Sequence, residues 1–285
     1  MIKKIFLIFF VLSCGEITEQ KIGYTEIVEN AWDYFSVGDY ESARTEFINA
    51  LDYEVLTNIA EAYIGIGWSN LYIANEFTDL TNVTERNLLR DQAYDNFQNA
   101  KNVNNNSDSK ISDGLNSILS AGLIFVYDFK LLDYKDQYYN SDCPECGYNS
   151  SCDLNNYRRD CIIPTAIDIV NESNKILFHQ SNFEFIYDNS INIDDIYFIR
   201  ARLAFSFNDF ISVSEFPPNQ IIEEYKLDNT DGYFRHQEEI CKINELTDDC
   251  IALGLDQYCL ESSPNIPYES FLSCLSSFYT PELNK

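Results

Sequence analysis

The chain of 285 residues is strongly acidic, with 46 Asp and Glu against 19 Lys and Arg and a formal net charge of −27. A nucleic-acid-binding protein needs clustered Lys and Arg to displace counterions from phosphates, so this composition excludes that class. The 20 Tyr and 20 Phe argue for a packed core rather than disorder. Low numbers of Gly (10) and Pro (7) favour helices over a turn-rich β-sandwich.

The first residues have the pattern of an export signal. Lys3 and Lys4 form a short positive segment, and an apolar run follows over residues 5–12. That run is shorter than the about 20 residues that a membrane-spanning helix needs, and it suits the apolar segment of a secretory signal peptide. A cysteine, Cys14, follows almost directly, and the next one along the chain is Cys143.

The segment VLSC, residues 11–14, resembles the lipobox of bacterial lipoproteins. In that family the preceding peptide is removed and the Cys carries acyl chains that hold the protein at a membrane. The resemblance implies a signal peptide over 1–13, lipidation of Cys14 and a tether over 14–23. Gly15, in place of an Asp, favours the outer membrane of the cell envelope. The alternative is an ordinary signal peptide with an incidental Cys.

Residues 31–51, AWDYFSVGDYESARTEFINAL, contain the clearest internal pattern. Small and aromatic residues come first, then a Gly turn, then an Ala-x3-Phe-x2-Ala stripe. This order resembles the tetratricopeptide repeat (TPR), a pair of antiparallel helices. The Pro that the family has near the end of the second helix is replaced by Val55. The residues that match the packing positions are Ala31, Tyr34, Gly38, Tyr40, Ala43, Phe47 and Ala50.

A second, interrupted copy follows at a spacing of 50 residues, against 34 in the family. Its stripe is formed by Ala93, Phe97 and Ala100. The predicted first helix of this copy, residues 60–74, contains two glycines that would let a neighbouring helix approach closely. A polar stretch, residues 75–86, interrupts the pattern. Generic helical packing with a coincidental Ala/Phe stripe is the alternative.

Later segments are assigned by composition and periodicity alone. TPR-like repeats are expected over 24–135, a cysteine-rich loop over 136–163 and further helical hairpins over 164–285. The predicted features, in chain order, are a polar linker at 102–110, a long buried helix at 111–134, a helix from Pro164 to His179, and a helix pair at 193–216 with its turn at 208–210.

Eight cysteines remain besides Cys14, an even number that suits disulfides in an oxidising compartment. The eight fall into two groups of four along the chain. We expect the cysteines of each group to pair with one another, because linking positions about 100 residues apart requires the fold to bring them together first. Nine such pairings are possible, out of 105 in all. The two groups are Cys143, Cys146, Cys152 and Cys161, and Cys241, Cys250, Cys259 and Cys274.

Metal binding is the competing interpretation of these cysteines. A four-Cys zinc site needs a second close pair besides CPEC, and Cys152 and Cys161 are too far apart to supply it. Cys241, Cys250 and Cys259 are nine residues apart, so on a helix they would alternate between opposite faces. CPEC is followed by Gly147, so the His of a c-type haem site is missing. We therefore expect no metal and no cofactor.

Catalytic signatures are missing as well. Neither His179 nor His236 lies in a known catalytic motif, and the sequence contains no phosphate-binding, dinucleotide-binding or H-E-x-x-H motif. Residues 228–238 loosely resemble a calcium loop, but Leu227 stands where the first acidic ligand is needed. The sequence thus predicts a protein that is not an enzyme.

Taken together, these patterns predict an all-α protein, a right-handed solenoid of antiparallel TPR-like hairpins with a disulfide-stapled loop. The predicted function is a membrane-anchored scaffold that binds other envelope proteins. The alternative is a glycan- or nutrient-binding lipoprotein that partners an outer-membrane transporter, as in the SusD-like family, which also uses TPR helices. Exposed aromatic platforms would favour the glycan-binding alternative, and a groove of mixed polar residues would favour the scaffold. A cleft in which titratable groups converge would favour an enzyme.

The lipid anchor can be tested at Cys14. We expect Cys14→Ser to remove fatty-acid labelling, because the acyl chains are attached through the thiol. The variant should then appear in the soluble fraction or retain its leader. Metabolic labelling with a radioactive fatty acid, followed by membrane fractionation, measures both effects. An unlabelled wild-type protein would contradict the prediction.

Overall fold

A computed structural model describes residues 23–52, 59–77, 82–108, 110–139, 161–180 and 182–209. Within these ranges the protein is all-helical, as predicted. The described residues form no strand, and the one β-structure is an isolated antiparallel bridge between Glu184 and Asn192. The helices are α1 (Tyr24–Ser36), α2 (Tyr40–Leu51), α3 (Ala60–Glu76), α4 (Val83–Asn106), α5 (Asp113–Tyr139), α6 (Ile163–His179) and α7 (Ile193–Asp209).

A three-residue turn joins α1 to α2 at the position that the Gly-Asp-Tyr pattern indicated. Gly38 has a φ of 83°, which a residue with a Cβ rarely adopts. The Asp39 carboxylate then accepts a hydrogen bond from the Ser42 amide at 3.2 Å and caps α2. So short a turn makes α2 run back along α1.

Phenylalanine rings packed onto glycines set the spacing between the central helices. A Cβ built on Gly65 of α3 would come closer than 3.0 Å to the ring of Phe47 of α2. Phe97 of α4 lies in the same way against Gly67 of α3 and Gly122 of α5. Both rings are fully buried. The expected role of the two α3 glycines in close helix packing is therefore confirmed.

The long buried helix predicted after residue 110 is α5. Its segment Asp113–Tyr134 has a mean hydropathy of 1.4 and is long and apolar enough to cross a membrane. In the fold, however, 78% of that apolar window is buried within the protein. Its neighbours α4 and α6 pack along it, so it is a buried helix of the core.

The boundaries of α4 differ from the prediction. Polar residues at 83–86 and 102–106, predicted to lie in loops, belong to this helix. One stripe of α4 is buried, and the Asn, Asp and Glu residues apart from Asn104 lie outside it, so low hydrophobicity does not break the helix. The stripe consists of Leu89, Ala93, Phe97, Ala100 and Asn104. The linker to α5 is thus shortened to residues 107–112.

The predicted helix from Pro164 to His179 is confirmed as α6, which has Pro164 in its first turn, where a missing N–H costs nothing. The first helix of the pair predicted at 193–216 is α7, which ends at Asp209, within the expected turn. The rest of that pair lies outside the described residues.

Two glycines of α5 offer a matched test of the packing. Gly122→Ala should lower the free energy of unfolding by about 1–3 kcal/mol, because its Cβ would collide with the buried Phe97 ring. Gly114→Ala should leave it unchanged or raise it by up to about 1 kcal/mol, since only Ser112 Oγ lies within 4 Å, at 3.9 Å. Urea denaturation followed by circular dichroism measures both; a stabilised Gly122→Ala would contradict the packing.

Candidate functional site

Five aromatic side chains from the first three helices form a continuous surface, here called the aromatic face. Its members are Trp32, Phe35, Tyr40, Trp68 and Tyr72. Spacings of three on α1 and four on α3 place each pair on one side of its helix. Phe35 lies edge-on to both Tyr40 and Tyr72 at 5.1 Å between ring centroids, so α1, α2 and α3 meet at this face.

Residues 182–192, which join α6 to α7 and are here called the connector, cover the aromatic face. Phe183 and Phe185 are buried, whereas Glu184 and Ile186, which follow them, are exposed, so the buried side chains alternate with exposed ones. The Phe185 ring stacks on Trp68 at 4.5 Å. The Tyr187 ring lies parallel to Trp32 at 3.7 Å. The Asp188 amide donates to the Phe185 carbonyl at 3.0 Å, so the connector covers this face as a folded turn.

Asp188 fastens the connector to α3. One carboxylate oxygen accepts a hydrogen bond from the Ser190 amide at 2.8 Å, and the other accepts one from the Tyr72 hydroxyl at 2.6 Å. Burial, and then the hydrogen bond to Asp188, raises the pKa of Tyr72 far above its ordinary value. Tyr72 therefore stays a neutral donor at physiological pH, and the attachment does not depend on its titration.

A cavity of about 320 Å³, here called the acidic cavity, opens where the connector meets α1 and α3. Its walls combine aromatic rings with carboxylates, and no Lys or Arg is among the described residues that line it. They are Tyr24, Thr25, Val28, Glu29, Trp32, Asp33, Glu61 and Tyr187. The Trp32 indole N–H donates to Glu61 Oε1 at 3.0 Å. The cavity thus carries concentrated negative charge beside flat aromatic surfaces.

The environment of the acidic cavity shifts the pKa of Glu61. Burial raises the pKa of Glu61 above its ordinary value, the Trp32 hydrogen bond opposes this, and the charge of Glu29 adds to it. A carboxylate with a raised pKa favours neutralisation, by a proton or by a bound cation.

A second polar cluster lies between α4, α5 and α6, beside a cavity of about 270 Å³. Glu172, only 4% exposed, accepts hydrogen bonds from Lys101 at 3.0 Å, Lys175 at 2.8 and 2.9 Å, and Ser120 at 2.9 Å. Burial alone would raise its pKa, but the hydrogen bonds and charges of Lys175 and Lys101 hold the pKa below its usual value.

This cluster, with His179 on the same cavity wall, is the kind of convergence that could indicate an enzyme. The four hydrogen bonds occupy the four acceptor positions of the Glu172 carboxylate, so it has no position left to take up a proton from a substrate. Among the described residues that line the cavity, no hydrogen bond links His179 to a nucleophile. We interpret the cluster as a tie between three helices.

Most of the predicted repeat-packing residues lie in the core. Fully buried are Ala31, Ala43, Phe47, Ala50, Ala93, Phe97 and Ala100. Tyr40 is partly buried against the core, and Gly38 forms the turn. Tyr34 differs, being 43% exposed, because it lies off the buried stripe of α1 that runs through Trp32 and Phe35.

Few of the predicted cysteines lie in the described part of the chain. Cys161 is buried just before α6 and is disulfide-bonded, with a partner that lies outside the described residues. The lipidation residue Cys14 and the candidates Cys143, Cys146, Cys152, Cys241, Cys250, Cys259 and Cys274 also lie outside, so the pairing remains a prediction. No group of three or more His, Cys, Asp or Glu in the described ranges could hold a metal ion.

Sequence analysis missed both the connector and the acidic cavity. The signal for the connector was present in residues 183–187, where aromatic residues alternate with other residues at a period of two. The acidic cavity left no local signal, because its carboxylates come from two helices and one of its walls from the connector.

No known protein family, curated protein or solved structure matches the chain. The site is therefore interpreted from its own chemistry.

Glu61 provides a pH test of the acidic cavity. Because its pKa is raised in the folded state, stability is lost as the pH rises above 4.5, its ordinary pKa. Glu61→Gln retains an oxygen acceptor for Trp32 but carries no charge. We therefore expect the variant to be more stable than the wild type at pH 7, and the difference to disappear below about pH 4.

Urea denaturation at both pH values measures this difference. The matched control is Asp95→Asn, which removes an exposed carboxylate from the middle of α4. It should change the stability little at either pH. A loss of stability at pH 7 in Glu61→Gln would contradict the prediction.

Proposed function

We propose that this protein is a lipid-anchored, non-enzymatic protein-binding component of the bacterial cell envelope. In this proposal TPR-like helix pairs form the binding body and Cys14 holds it at the outer membrane. One observation carries the protein-binding part: the aromatic face of α1–α3 already accommodates another part of the polypeptide, the aromatic side chains of the connector.

Helix contacts support the TPR-like arrangement. Helices α1 and α2, α3 and α4, and α5 and α6 pack as consecutive pairs, and the first helices of successive pairs also contact one another, α1 with α3 and α3 with α5. Contacts of this kind are expected when helix hairpins stack into a right-handed solenoid, whose inner side is formed by the first helices. Disulfides in the cysteine-rich loop, including that of Cys161, would staple the segment between α5 and α6.

The chemistry of the aromatic face suits peptide recognition. Stacked and edge-on aromatic pairs contribute about 0.5–1.5 kcal/mol each beyond their buried area. The connector fills the centre of the face and leaves its own outer side accessible, where Ile186 is 65% exposed. A partner would dock on this outer side and along the acidic edge of the face, while the connector stays in place.

The glycan-binding alternative receives less support. Among the residues whose side chains the structure describes, the large aromatic side chains that are exposed are Tyr34 on α1 and Phe178 on α6, and two separate rings do not form a platform for a sugar. Trp32, the natural candidate for such a platform, is covered by Tyr187. The enzyme alternative lacks support because Glu172 is saturated with hydrogen bonds.

Site-specific photo-crosslinking in native membranes tests this function. We expect a photoreactive amino acid at Ile186, over the aromatic face, to give a discrete crosslinked product that mass spectrometry identifies as an envelope protein. The matched control is Leu88 of α4, which is also exposed, at 55%. Equal products from both positions, or none from Ile186, would contradict the proposal.

A further inference from the structure

We propose that the cavity between α4, α5 and α6 binds a small zwitterion, best matched by a free amino acid with an aliphatic side chain. This cavity of about 270 Å³ lies beside Glu172 and is here called the polar cavity. It shares no residue with the aromatic face. The inference therefore goes beyond the proposed function and does not depend on it.

The two lysines that bind Glu172 are the first argument. Glu172 is buried and its pKa lies below the usual value, so it stays ionised at neutral pH and fixes both ammonium groups. An ammonium has three N–H donors, and Lys101 uses one of them on Glu172 whereas Lys175 uses two. Both lysines line the polar cavity. A carboxylate that entered it would therefore meet two positive charges that are already held in place and still have donors.

A buried hydroxyl is the second, independent argument. Ser117 of α5 is only 3% exposed and lines the polar cavity. No hydrogen bond to a described residue involves its hydroxyl, and Ser117 is not among the residues with further contacts. The unpartnered side-chain atoms that the fold encloses completely do not include its Oγ, so a molecule in the cavity can reach it. Since buried polar groups normally have partners, a bound carboxylate would complete this one.

The remaining walls favour a zwitterion over a simple anion. Asp113, in the first turn of α5, is exposed and lines the cavity, and no ion pair in the described ranges involves it. With Glu172 it balances the two lysines of the lining, so the walls suit a ligand without net charge. Leu119 and Leu123 add a buried apolar surface.

An aliphatic amino acid has a matching group for each part of these walls. Its carboxylate would be bound by the lysines and Ser117, its ammonium by Asp113, and its side chain by the leucines. The volume of about 270 Å³ lies just below the range of drug-sized pockets, which fits so small a ligand.

Isothermal titration calorimetry of the purified protein with three related ligands tests the proposal. They are L-leucine, L-leucinamide, which lacks the carboxylate, and 4-methylpentanoate, which lacks the ammonium group and keeps the carboxylate and the side chain. We expect L-leucine to bind saturably at one site. Each analogue should bind about tenfold more weakly or worse, because it loses one charged contact.

Two variants assign the binding to the polar cavity. Ser117→Ala should weaken L-leucine about fivefold to tenfold. Its free energy of unfolding without ligand should not fall, because the hydroxyl has no partner among the described residues; a merely structural role would lower it. Asp113→Asn should weaken binding about tenfold, whereas its matched control Asp95→Asn, outside the cavity, should bind like the wild type. Absence of saturable L-leucine binding, equal affinity for either analogue, or unchanged affinity in Ser117→Ala would overturn the inference.

Discussion

The packing of phenylalanine onto glycine is the constraint on which the rest of this structure depends. Phe97 lies between two glycines from different helices, Gly67 and Gly122, and Phe47 lies on Gly65. Without a Cβ at these positions, α3 can approach α2, α4 and α5 closely enough for each ring to be buried completely. Interiors packed this tightly do not tolerate an added methyl group without a shift of the backbone.

The aromatic face follows from that constraint. Phe47 of α2 not only fills the space above Gly65 but also meets Trp32 of α1 edge-on at 4.7 Å. The ring that sets the distance between α2 and α3 thus also positions the tryptophan that bears the connector. The acidic cavity depends on the same contact, because Trp32 forms its wall and donates a hydrogen bond to Glu61.

The sequence predicted the parts of the fold that local patterns specify. The Ala/Phe stripes, the turn at Gly38 and the start of α6 at Pro164 each depend on residues within a few turns of one another. The ends of α4 could not be predicted from composition, because a helix with one buried stripe tolerates polar residues on its other sides. For the site, the predicted packing residues form the support, but the side chains that would bind a partner escaped prediction.

That failure has a physical cause. Tyr72 and Asp188 are separated by 116 residues along the chain and meet only through tertiary packing. The acidic cavity likewise joins Tyr24 to Tyr187. The alternating aromatics of the connector indicate that residues 183–187 have a buried side, but nothing in a single sequence states what that side covers.

The position of the connector also bears on how the chain can be divided. The cysteine-rich stretch of sequence between α5 and α6 looks like a natural boundary, yet the segment after α6 supplies Phe185 and Tyr187 to the surface of α1 and α3. The helical parts before and after this stretch therefore pack against each other. A protease that cut the backbone between residues 140 and 160 would yield two fragments that remain one particle, held together by their shared aromatic core.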